Sequence, residues 1–159
     1  MRPTVLAMDL EGTLISNAVS QIPRPGLFQF LEEVNELFER LVVYTTVPEP
    51  TFRKLAHLLV VEGCAPGWFA QLRYTEWDGA TKDLRRVSPN PDSTLLLDDY
   101  GAYVHPAQAD CWIQVPLFGA PYLDEDRGLE VALDVIKARL GINHQRDRHS
   151  GQGASDPQS

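Results

Sequence analysis

Short apolar, β-branched runs alternate along this chain with stretches of helical periodicity. Residues 5–8, 41–45 and 94–97 read as buried strands, because runs of this kind suit a parallel sheet covered on both faces. Residues 112–115 read as a further strand, and 71–75 as a short one. Between them, Pro25-Gly26 opens a helix in which Leu27, Phe30, Leu31, Val34, Leu37 and Phe38 recur at helical spacing. Glu32, Glu33, Glu36 and Glu39 take its other, solvated face. Pro48 and Pro50 end the second strand and lead into a helix over 51–61, and 129–140 forms a last amphipathic helix. Residues 81–87 predict a helical turn or two, while 16–25 and 88–92 are Pro-bearing loops. The stretch 62–78 has no clear period; it carries Trp68 and Trp77 among the breakers Gly63, Pro66 and Gly67.

Strands alternating with helices predict one α/β domain over 1–142: a Rossmann-like three-layer fold, its central sheet mainly parallel, with helices on both faces. From about Asn143 the chain is polar and cannot bury enough surface to offset its ordering entropy, so 143–159 is expected to be a disordered tail. No internal repeat is evident. Three strands end in polar residues of catalytic type: Asp9 and Glu11, Thr45 and Thr46, Asp98 and Asp99. Ligands of open α/β sheets bind beyond the carboxyl ends of the strands, so distant stretches converge on one edge.

Composition narrows the partners. A formal net charge of −8 argues against non-specific nucleic-acid binding, which needs clustered Lys and Arg. A small phosphorylated ligand in a local basic pocket remains open. Cys64 and Cys111 are the only cysteines, and their separation offers no zinc spacing. They are expected as reduced, buried thiols. No leader-like segment opens the chain and no run approaches the ~18 apolar residues that span a membrane. The expected location is the cytoplasm, with no membrane partner.

Phosphoryl transfer to a carboxylate needs few parts: an ionised carboxylate, a cation, donors for the phosphoryl oxygens and an acid for the leaving group. Asp9 would attack and form an aspartyl-phosphate. Asp9 and Asp98 would share a Mg²⁺ ion, which takes only a few protein ligands. Thr45 and Lys82 would hold the phosphoryl oxygens, and Glu11 would protonate the leaving alkoxide and then deprotonate water. Gly12 and Thr13 supply the turn beside these acids.

The run Asp9-Leu-Glu11-Gly12-Thr13-Leu14 resembles the first motif of the haloacid dehalogenase superfamily, Asp-x-Asp-Gly-Thr-Leu, with Glu11 in place of the second aspartate. Leu41-Val-Val-Tyr-Thr45, Lys82 and Leu95-Leu-Leu-Asp98-Asp99 are similar to its second, third and fourth motifs, in the same order. A narrower branch, the NIF-type phosphatases that include those acting on the polymerase carboxy-terminal domain, shares further features. These are Arg24-Pro25-Gly26 opening a helix, Lys82-Asp83-Leu84, and a late strand carrying a proline at Ile113-Gln-Val-Pro116. The resemblance spans residues 4–140 and implies a Mg²⁺-dependent phosphomonoester hydrolase. In the family the residue at the Glu11 position binds the metal through its backbone carbonyl, so the resemblance implies Asp9, Glu11 and Asp98 as metal ligands. Where the branch often has Ser-Pro after the paired acids, this chain has Tyr100-Gly101.

No separate cap domain fits between these motifs, so the site is expected to be open and able to admit a phosphoprotein or another large phosphoester. Several assignments stay open at this level. Thr46 could replace Thr45, and Arg73, Arg85 or Arg86 could supply charge in place of Lys82. Asp99 is expected to orient Lys82 or the loop. Trp68, Trp77 and Tyr74 could line a substrate groove or lie in the core. A catalytically weak binding protein, or a phosphotransferase of the same fold, are the competing functions; the substitution at Glu11 motivates the first.

Overall fold

Five parallel strands form one sheet in the order β3-β2-β1-β4-β5. They are β1 (Val5–Met8), β2 (Arg40–Val43), β3 (Arg73–Tyr74), β4 (Thr94–Asp98) and β5 (Trp112–Gln114). The helices are α1 (Leu27–Leu37), α2 (Glu49–Val61) and α3 (Gly128–Arg139), and 3-10 turns occupy most of the remaining connections. The computed structural model describes residues 2–142; the expected tail of 143–159 lies outside the described residues.

The register explains why strand ends meet. Met8 of β1 stands opposite Val43 of β2 and Leu97 of β4, so the residues after them leave the sheet at one level. The Asp9 amide donates to the Leu97 carbonyl at 2.9 Å, and the Tyr44 amide to the Met8 carbonyl at 2.8 Å. Ladder bonding therefore continues one residue beyond β1, which fixes Asp9 rigidly at the centre of the sheet edge.

Alternation along the strands divides the core. Leu6, Met8, Leu41, Val43, Leu95, Leu97 and Ile113 face one side and pack with residues of α1, α2 and α3. Val5, Ala7, Val42, Tyr44 and Leu96 face the other side and pack with Leu84, Val87 and Cys111. Both faces are covered, as the apolar runs require, but the cover differs from the expected helices on both sides. Among the described residues α1, α2 and α3 all contribute to the first cluster, whereas the residues covering the second come from 3-10 turns and the loops beside them. Neither cysteine is in a disulfide; Cys111 is buried and Cys64 only half-buried.

Several boundaries differ from expectation: β2 ends at Val43, short of Thr45, β3 covers only Arg73–Tyr74 and β5 ends at Gln114. α2 starts at Glu49, with Pro50 inside its first turn. A proline is tolerated there because the first turn's amides have no intrahelical acceptor to lose. Gly26 precedes α1 with φ 79°, a left-handed conformation that suits glycine.

Leu97 is fully buried and joins β1 to β5 through the main core. Leu97→Ala is expected to lower the unfolding free energy by about 2–5 kcal/mol in urea titrations. Val131→Ala, on a side chain 52% exposed on α3, should change it by no more than about 0.5 kcal/mol.

Candidate active site

Beyond Met8 the chain makes a tight turn over residues 9–15. The amides of Leu14 and Ile15 both donate to the Leu10 carbonyl, at 2.9 and 3.1 Å. Gly12 sits at φ +74°, and a Cβ there would lie 2.7 Å from Leu117 Cδ1 and 3.0 Å from Asp99 Oδ2. Glycine is thus required twice, by conformation and by space. The turn brings the Thr13 hydroxyl to 2.9 Å from Asp9 Oδ2 and 3.0 Å from Asp99 Oδ1.

Lys82 arrives from the far side of the sheet. Its ammonium donates to Asp9 Oδ1 at 2.9 Å and to Asp98 Oδ2 at 2.6 Å, and its side chain is 0% exposed. The backbone around it is pinned: the Lys82 amide donates to the Tyr103 carbonyl at 2.7 Å, and the Leu84 amide to Gln108 Oε1 at 2.8 Å. The rings of Trp77 and Tyr103 each stand 5.5 Å from the ammonium. Burial alone would favour the neutral amine, but the two carboxylates outweigh it and hold the Lys82 pKa above its ordinary value. Asp98 is held by the Tyr100 amide, which donates to its Oδ1 at 2.9 Å.

Burial pushes the Asp9 carboxyl up to about 8; Lys82 opposes this, and Asp98 adds to it. Burial likewise raises Asp98, against the pull of Lys82. One oxygen from each of Asp9, Asp98 and Asp99 lies within 4.8 Å of the others. Three carboxylates face one ammonium, so the fully ionised cluster carries an excess of negative charge. An all-oxygen donor set with that excess fits a hard divalent cation, and such a charge would draw the raised carboxyl back to its ionised form.

The structure brings Asp9, Gly12, Thr13, Lys82, Asp98 and Asp99 together. Asp99 bonds Thr13 and joins the acid cluster, while the carboxylates bonded to Lys82 are Asp9 and Asp98. Thr45 is buried and its Oγ1 accepts from the Val47 amide at 3.2 Å, leaving the hydroxyl proton to donate elsewhere; Thr46 is exposed. Glu11 Oε2 accepts from the Ala18 amide at 2.7 Å. Arg85 and Arg86 are paired with Asp83 and Asp78, and Arg73 is exposed, so Lys82 is the cation bonded to the acids. Trp68 and Tyr74 pack against the main core, and Trp77 covers Lys82. Gln108, which holds the surrounding backbone, has no motif to mark it in the sequence, and Arg24 stands out there only as part of Arg24-Pro25-Gly26. Each reaches a partner remote in sequence: Leu84 for Gln108, and Thr13 and Asp126 for Arg24.

A family model described as NLI interacting factor-like phosphatase matches residues 4–146. Among solved structures, the fission yeast RNA polymerase II CTD phosphatase Fcp1, bound to beryllium fluoride, is similar in fold. It has a TM-score of 0.51 and 18% sequence identity, and the match covers 88% of this chain and 51% of that one. The chain therefore spans about half the length of that relative. Among curated proteins, none matches. No helix among the described residues is long and apolar enough to cross a membrane.

A carboxyl whose folded pKa is raised stabilises the fold fully below its ordinary value of 3.8, and loses that contribution as pH rises through the folded value, about 8 for Asp9. In chelator, the melting temperature is expected to fall as pH approaches about 8. Asp9→Asn should flatten that fall in thermal melts across the pH range.

Proposed function

The chain belongs to the NLI interacting factor-like phosphatase family, and from that premise we propose that it hydrolyses phosphomonoesters with Mg²⁺, through a phosphoryl group carried on Asp9. The observation that carries this reading is the Asp9 carboxylate, held from both sides by the Lys82 ammonium and the Thr13 hydroxyl at the rigid end of β1. A positioned carboxylate with its rotation fixed is already oriented for attack on phosphorus, which removes an entropic cost from the barrier.

Mg²⁺ bound to the oxygens of Asp9, Asp98 and Asp99 would neutralise charge on the attacking and transferred groups. Glu11 would add its backbone carbonyl, as its position in the motif implies. Lys82 keeps its proton and offers a compact positive charge to the phosphoryl oxygens, and Thr45 offers its hydroxyl proton. Glu11 would donate to the leaving oxygen and later take the proton from the attacking water. One oxygen of its carboxylate accepts from the Ala18 amide at 2.7 Å. Among the described residues no cap domain stands over the strand ends, which supports a phosphoprotein or another large phosphoester as the substrate.

A second reading rests on Glu11 itself. Its side chain is a methylene longer than the aspartate usual in the motif, and a misplacement of ~1 Å can cost on the order of a hundredfold in rate. A chain in which Glu11 cannot serve would bind phosphorylated ligands and turn them over weakly.

Turnover of an aryl phosphate is expected to require Mg²⁺ and to fall on the order of 10⁴-fold or more in Asp9→Asn. Metal-independent turnover, or an Asp9→Asn variant as fast as the native chain, would contradict the proposal. A rate gain in Glu11→Asp would favour the second reading, and a loss would show that the glutamate is tuned to this site.

A further inference from the structure

Arg24 is among the largest fully buried side chains of the described residues, and none of the chemistry above uses it. Its Nε and Nη2 donate to the two oxygens of Asp126, at 2.6 and 3.2 Å, and its Nη1 donates to the Thr13 carbonyl at 3.2 Å. The guanidinium carbon lies 5.5 Å from the centre of the Phe118 ring. It also abuts Gly128 at the start of α3, where a Cβ would collide with the guanidinium. The Phe118 amide donates to the Gly12 carbonyl at 2.8 Å. Both carbonyls of the Gly12-Thr13 turn are therefore tied, one by Phe118 and the other by Arg24.

We infer that Arg24 is a positioning residue for the acid cluster, acting through the backbone of Thr13 on the Thr13 hydroxyl that holds Asp9 and Asp99. The inference rests on the metal and phosphoryl reading of that cluster. Stability alone does not account for a buried guanidinium. Taking the Arg24 guanidinium out of water is costly even with the half-buried Asp126 as partner, and apolar residues of similar volume often replace such a pair without loss. What apolar residues cannot replace is the donor to the Thr13 carbonyl. Without it that oxygen is left unsatisfied in the interior and the turn is free to shift. A shift there moves the Thr13 hydroxyl, and with it the spacing of the carboxylates that would hold the cation. Partners one step removed from metal ligands act in this way.

The test compares Arg24→Met, the double variant Arg24→Met with Asp126→Leu, and Arg24→Lys, each in the full chain. Unfolding midpoints, Mn²⁺ affinity by titration, and kcat and KM for an aryl phosphate are measured. The double variant is expected to recover the stability lost in Arg24→Met. It should still bind Mn²⁺ about 10- to 100-fold more weakly and lose kcat by a similar factor, with KM within about twofold. Arg24→Lys keeps the charge against Asp126, but a single ammonium cannot reproduce the fork that also reaches Thr13. It should show the same losses, and it decides the matter if the double variant does not fold. A stable variant with native Mn²⁺ affinity and native kcat would overturn the inference alone. Absence of both Mn²⁺ binding and turnover in the native chain would overturn the reading of the site, and the inference with it.

Discussion

The buried ammonium of Lys82 is the constraint around which the rest of the molecule is arranged. A charge with no access to water is tolerated only when paired and hydrogen-bonded, and Asp9 and Asp98 supply that pairing from adjacent parallel strands. Their registration by the β1–β4 ladder is what lets one ammonium reach both. The crossing segment must then deliver Lys82 to the edge of the sheet from β3 on its far side. It does so across the second face, placing Leu84 and Val87 against the sheet as it passes. Pinned by Tyr103 and Gln108, that segment has room for a 3-10 turn at Leu84–Arg86 and not for a long helix. The uneven cover of the two faces thus follows from the placement of one charged side chain.

Much of this was legible in the chain. β1, β2, β4 and β5 are short runs buried in the sheet, and α1 has an unbroken apolar face, so period and length were enough to find them. Asp9 and Asp98 stood out because strands ended in acids, and Lys82 through its order between them. Other features depend on distance in space. Whether Asp99 meets Lys82 or Thr13 is decided by the turn at Gly12, where backbone conformation and the crowding of Leu117 act together. Trp68 and Trp77 have the same composition signal, yet one packs on the helical core and the other caps the ammonium. The pairing of Arg24 with Asp126 joins the segment before α1 to the segment before α3, and no local pattern reports it.

The acids and the turn divide the work of the site. Asp9, Asp98 and Lys82 are placed by the sheet and by burial, and the Thr13 hydroxyl on the turn orients the Asp9 and Asp99 carboxyls. Glu11 is half-buried in an otherwise buried turn, its side chain held by the Ala18 amide, and in the proposed mechanism the proton transfer falls to it. Under that proposal, positioning of the nucleophile and transfer of the proton are separable, and the first can stay intact while the second sets the rate.

Covalent capture by Asp9 bears most directly on this view. An aryl phosphate turned over with Mg²⁺, quenched rapidly in acid and mapped by peptide mass, should leave one phosphoryl group on the peptide that contains Asp9, and none in Asp9→Asn. Turnover at full rate with no phosphoryl group trapped on that peptide, or with one trapped on another residue, would contradict it.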